Sequence, residues 1–196
     1  MNEKIAILYL TSALVLGAFP NMNLKFPIAI DDINKCIEMA AAQPVAANIY
    51  TELIDNLTDY EKELICRIAV RECIDQDVPG QRAVIEVILN RVISNEWPNT
   101  VEGVLSQGSK TGVLQFATWP IKHWAKDNEI AAMMETLELV RTSTDLILPS
   151  TDYVYFATKE QTYAKNYFAI QDHHFGTGLN SSFDLEEWLK HNELTN

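Results

Sequence analysis

Two helical stretches set close together in the middle of the chain constrain its fold most. Thr58 is a candidate N-cap with Glu61 three residues on, the spacing of a capping box, and the helix it opens runs to about Asp75. The segment CIDQDVPG then reads as a loop, punctuated by Pro79 and Gly80. A second helix, QRAVIEVILNRVIS, spans about 80–94 and is apolar nearly all round over AVIEVIL. Trp97-Pro98-Asn99 breaks it, and a short helix through Val101–Leu105 leads into a Gly/Ser loop, SQGSKTG. Residues 128–143 form a further helix, with Ile130, Met133, Met134, Leu137 and Val140 as its apolar stripe. TDYVYFAT alternates as a strand does, with Tyr153 and Tyr155 on one face and Val154 and Phe156 on the other. IQDHHFG is a second short strand or a loop, and FDLEEWLK is a terminal helix with Ser182 as its expected cap. The fold class is therefore mainly α (α+β) with a small β element, and nothing alternates in β–α units.

Ahead of this lies a helical extension, residues 1–57, set apart from a main domain at 58–196. Asp31 and Asp32 open a helix through Ala42 that Pro44 ends, and a short helix around Val45–Leu57 follows. Residues 5–19, IAILYLTSALVLGAF, are apolar apart from one Thr and one Ser. They are short for a membrane span, which needs about 20 residues. They suit the apolar region of an export signal, with Ala18 at the cleavage site, or an anchor; a helix buried against the domain is the alternative. The first reading places the protein outside the cytoplasm or at the envelope.

The 15 Lys and Arg against 27 Asp and Glu leave a net charge of −12. That balance speaks against nucleic acid and against an anionic membrane surface as partners, since both are held by basic side chains. Three Cys do not make a disulfide framework. Cys66 and Cys73 fall in one helix, roughly 10 Å apart along its axis, too far for a bridge. The four His do not show the spacing of a zinc site with a carboxylate helper, which speaks against a zinc amidase. No metal or other cofactor is called for.

Two carboxylates stand out by position. Ile65, Ile68 and Ala69 form an i, i+3, i+4 stripe, and the next position on it is Glu72. Burial raises a carboxyl pKa and makes a proton donor near neutral pH, so Glu72 is a candidate general acid. The alternative is a solvated or Arg-paired helix-end Glu, with Arg67 and Arg71 close by. Glu86, between Ile85 and Val87, poses the same puzzle; a salt bridge or hydrogen bond is expected there.

The stretch from Ile65 to Thr100 resembles the SleB-type cell-wall hydrolases, the spore-cortex lytic enzymes and their relatives. Glu72 takes the position of the family's first Glu. Gly80-Gln81, Ala83-Val84, the run Val87-Ile88-Leu89-Asn90-Arg91-Val92, and Pro98-Asn99-Thr100 follow in family order. Val113-Leu114-Gln115-Phe116 looks like the family's Gly-Gln-Phe loop, Asp152–Phe156 like its aromatic strand, and Ile170–Phe175 like its closing Ile-Gly-x-His-x-Phe. The resemblance covers about 60–176. It departs at Ile74-Asp75-Gln76, where the family has Arg-Gly-Glu, so Gln76 brings no second acid. Gly112-Val113-Leu114-Gln115 also looks like an element of lysozyme-like lytic transglycosylases.

The resemblance implies a lysozyme-like domain that cleaves the MurNAc–GlcNAc bond of peptidoglycan glycan strands with one Glu. That Glu protonates the glycosidic oxygen and then serves as base. The muramoyl 6-hydroxyl attacks, and the 2-acetamido group assists in place of a protein nucleophile. Glu72 is the implied catalytic residue. Gln115, Phe116, Tyr153, Tyr155 and His173 are the candidate substrate contacts, the tyrosines by stacking on a sugar face. Asp75 and Asp77 are the nearest further carboxylates. The implied settings are a secreted wall enzyme or a phage lysin. A catalytically silent structural protein on the same fold, such as a virion component, is the competing reading.

Overall fold

The computed structural model describes residues 48–108, 115–116 and 125–193. The expectations for residues 5–19 and for a helix at Asp31–Ala42 lie outside the described residues, as do residues 109–112 of the Gly/Ser loop.

The order of elements is α1 (Thr51–Asn56), α2 (Asp59–Cys73), α3 (Val78–Ile93), α4 (Val101–Leu105), α5 (Asp127–Thr142), β1 (Tyr153–Ala157), β2 (Ala164–Ile170), β3 (His173–Gly178) and α6 (Leu185–Glu193). The domain is thus mainly helical with one small antiparallel sheet, as the patterning predicts. Thr58 caps α2 in a complete capping box with Glu61. The start of α3 differs from the sequence reading. Asp77 is its N-cap, accepting from the Gly80 amide at 3.1 Å, so Pro79 and Gly80 lie inside the first turn rather than in a loop. A proline fits there because the first helical amides have no intrahelical acceptor to lose.

α3 is the axle of the domain. Every residue from Ala83 to Val92 is buried, and α2, α4, α5 and β1 all pack against it. A helix apolar on every side has this place available to it and few others. Tyr50 and Ile54 join the same core, so packing extends N-terminally past the boundary expected at residue 57. Tyr50 donates its hydroxyl to Asn90 Oδ1 at 2.6 Å, and Asn90 Nδ2 donates to the Tyr153 carbonyl at 2.9 Å. One buried amide therefore ties α1, α3 and β1 together.

On α5, Met133, Leu137 and Val140 face the core as expected. Met134, placed on the stripe by its spacing, is instead among the exposed apolar residues. β3 is the central strand, antiparallel to β1 on one side and β2 on the other. IQDHHFG thus resolves into the last residue of β2, a turn and the start of β3, while the rest of β2 has no counterpart in the sequence reading. Asp184, not Ser182, caps α6, accepting from the Glu187 amide at 3.1 Å.

Candidate active site

Glu72 lies on the last turn of α2 and is half-buried. The loop that follows is stapled to the start of α3. Gln81 Nε2 donates to the Gln76 carbonyl at 2.9 Å, and its Oε1 accepts from the Thr136 hydroxyl of α5 at 3.2 Å. Gly80 serves a second contact. A Cβ there would stand 3.0 Å from both Gln171 Oε1 and Gln76 Cβ, so glycine lets the β2–β3 turn close onto α3. Gln171 Oε1 then accepts from the Asp77 amide at 2.9 Å. The Gly80-Gln81 pair thereby fixes both the segment after Glu72 and the strand turn opposite it.

Arg91 is the residue that the other side chains surround. Its guanidinium carbon lies 4.2 Å from the centre of the Trp97 ring, 5.0 Å from Phe116 and 5.9 Å from Tyr155. Nε donates to the Val154 carbonyl at 2.7 Å, while Nη1 is buried without a hydrogen-bond partner. Burial pulls the pKa of this guanidinium down to about 10, and neighbouring Tyr155, Tyr163 and Glu72 favour its charged form. Glu72 is therefore close enough to couple electrically to a desolvated cation. Sequence reasoning did not single out Arg91, although the cue that flagged Glu86, a charge amid apolar neighbours, holds for it equally.

The expected contact residues divide by accessibility. Tyr155 is half-buried, 5.8 Å from Trp97 and 5.3 Å from Tyr163 between ring centres. Gln115 is exposed, its backbone N–H donating to the Gln107 backbone carbonyl at 3.1 Å. Tyr153 and Phe116, at 0% and 1% exposure, present no open surface and sit in the core. The cause for Tyr153 is a bulge: Tyr153 pairs with Thr177 but Tyr155 with Gly176, so the two do not alternate regularly on one face. Tyr153 turns into the core, edge-on to Phe183, whereas Phe116 forms a wall beneath Arg91.

His173 is also buried, packed edge-on against Phe156 at 5.4 Å, and its Nδ1 has no partner. Burial lowers its pKa below the usual imidazole value, against the opposing pull of Asp75 and Asp172. Glu86 is fully buried but lies apart from these groups. It accepts from the Ile147 and Leu148 amides at 2.9–3.1 Å, with Arg82 at 3.9 Å, and so anchors the segment after α5. Burial raises its pKa, and those amides and Arg82 oppose the shift. Among the described residues no group of three His, Cys, Asp or Glu is arranged to hold a metal ion.

The fold and site thus define a mainly helical protein with an arginine caged by aromatic rings at the junction of helices and sheet. Residues 75–176, more than half of the chain, match the family model described as Cell Wall Hydrolase, and the chain belongs to that family. The matched segment includes the Gly80-Gln81 staple, Arg91, Tyr155 and His173, and begins three residues after Glu72. The family assigns an enzyme acting on peptidoglycan, and hence action at the cell envelope. No curated protein and no solved structure shows significant similarity to the chain.

Proposed function

We propose that this cell wall hydrolase is a SleB-type lytic transglycosylase that cleaves the MurNAc–GlcNAc bond, with Glu72 as its acid and base. The observation that carries the reading is the electrostatic influence of half-buried Glu72 on the buried, ring-caged Arg91 guanidinium. Glu72 delivers its proton to the leaving oxygen, and the Arg91 charge then stabilises the carboxylate left behind. That carboxylate takes the proton of the muramoyl 6-hydroxyl as it attacks, closing a 1,6-anhydro ring. Tyr155 supplies a sugar-stacking ring and Gln115 an amide at the rim. Asp77 is occupied as the cap of α3, and Asp75, exposed, is the other carboxylate on that loop.

Mass spectrometry of digested peptidoglycan tests this. Anhydro-muramoyl ends support the reading; reducing muramoyl ends would mean hydrolysis, and freed peptides would mean an amide bond is cut. Residues 5–19 we read as an export signal or anchor that brings the enzyme to the wall, in a secreted enzyme or a phage lysin. A reporter fused to residues 1–30 should leave the cytoplasm; one that stays inside and soluble refutes export through this segment.

A further inference from the structure

Beyond the caged arginine, the structure holds a cleft of about 640 Å³ between the C-terminal end of α3, β1 and the β3–α6 turn. We propose that this cleft is a distal subsite for the neutral sugar backbone of the glycan strand, so that the enzyme grips several sugars rather than one disaccharide. The inference rests on the glycan-cleaving reading above and adds where the rest of the strand lies.

Three observations carry it. The first is continuity. Tyr155 lines the cleft and also stands beside Arg91, and Trp97, Tyr155 and Tyr163 follow one another at 5.8 and 5.3 Å between ring centres. An aromatic row therefore leads from the Arg91 cage into the cleft. The second is exposure. Tyr163 is 52% exposed, so a large ring is open at the far end of the row. A pyranose ring carries C–H groups on its faces and hydroxyls or an acetamide on its edge. An open aromatic takes the face, while amides such as those of Asn95 and Asn180 take the edge.

The third is charge. The cleft is lined by no Lys, Arg or His, and its ionisable acids are Glu96 and Asp152. Asp152 already accepts from the Ser181 hydroxyl. The peptide stems of peptidoglycan end in carboxylates, which such a lining repels at close range. Uncharged sugars meet no such barrier. The volume falls in the range of about 300–1,000 Å³ usual for ligand sites.

The test uses the full chain carrying Glu72→Gln, which cannot turn its ligand over. Its probes are the dimer and tetramer of β-1,4-linked N-acetylglucosamine, titrated by calorimetry. The tetramer is expected to bind more tightly than the dimer. Adding Tyr163→Ala should cut that tetramer-to-dimer preference about 3–10-fold, the loss of one stacked ring, while Tyr163→Phe keeps it. A preference untouched by Tyr163→Ala, or a cleft that takes free stem peptide in competition with tetramer, overturns the proposal. The two readings fail separately. Anhydro ends from wild-type protein with no Tyr163 effect would sink the subsite alone. A Tyr163-dependent tetramer preference in a protein that cuts no glycosidic bond would sink the cleavage reading and leave the subsite standing.

Discussion

The guanidinium carbon of Arg91 stands 4.2 Å above the Trp97 ring, and the same side chain bonds the Val154 carbonyl of β1 through Nε. The stack and the bond both depend on a flat, forked cation. Arg91→Lys keeps the charge but loses the Nε donor and the planar contact. It should lower stability by about 1–3 kcal/mol, read from denaturant melts. An unchanged midpoint would show that charge alone matters at this position.

Glu72→Gln keeps shape and hydrogen-bonding capacity but cannot deliver a proton. Its rate of wall clearance should fall roughly 10²–10⁴-fold, with folding and wall binding nearly intact. Near-wild-type turbidity loss by this variant would remove Glu72 from the chemistry.

Glu86→Gln is the matched comparison. Its new amide NH₂ faces the backbone N–H groups of Ile147 or Leu148, donor against donor. That costs about 1–2 kcal/mol of stability, somewhat offset by burying a neutral group. Cleavage per folded molecule should stay within a few-fold of wild type. A large loss of turnover without loss of stability would transfer the catalytic role to Glu86.

Gln81→Ala removes the staple across Gln76 and Thr136. Because the freed loop follows Glu72 directly, kcat should drop further than KM rises, with about 1 kcal/mol less stability. An effect confined to stability would make the staple purely architectural.

His173 predicts an acid-side weakness. Its folded pKa lies below the unfolded value of 6.5, so below about pH 6.5 the unfolded chain binds more protons. Stability should fall as pH drops from 6.5 towards the folded pKa and level off beneath it, as far as this group contributes. His173→Gln should flatten that part of the stability–pH curve; an identical slope in the variant would assign it to other groups.

What the sequence makes legible here is what short-range rules govern. Thr58 and Glu61 announce α2 because a cap is a contact between residues three apart. Glu72 is visible because its helix has a regular apolar stripe. Arg91 stays hidden, since its surroundings come from Trp97, Phe116 and β1, brought together only by folding. β2 is hidden for another reason. It breaks register between Lys165 and Phe168, carries Asn166 at φ 53°, and is mostly half-buried, so it shows no alternation to read. The bulge between Tyr153 and Tyr155 likewise leaves no mark in a string of aromatic residues.

The clasp of Gln171 on the Asp77 amide bears on where this protein tolerates insertion. A turn between two surface strands is ordinarily the safest place for an added residue or an epitope tag. Here the turn at Gln171-Asp172 is docked through Gly80 onto the helix start that also anchors the segment following Glu72. Lengthening it by one residue would pull on the segment after Glu72 from more than ninety positions away in the chain, so this short turn is expected to be as length-restricted as a core helix.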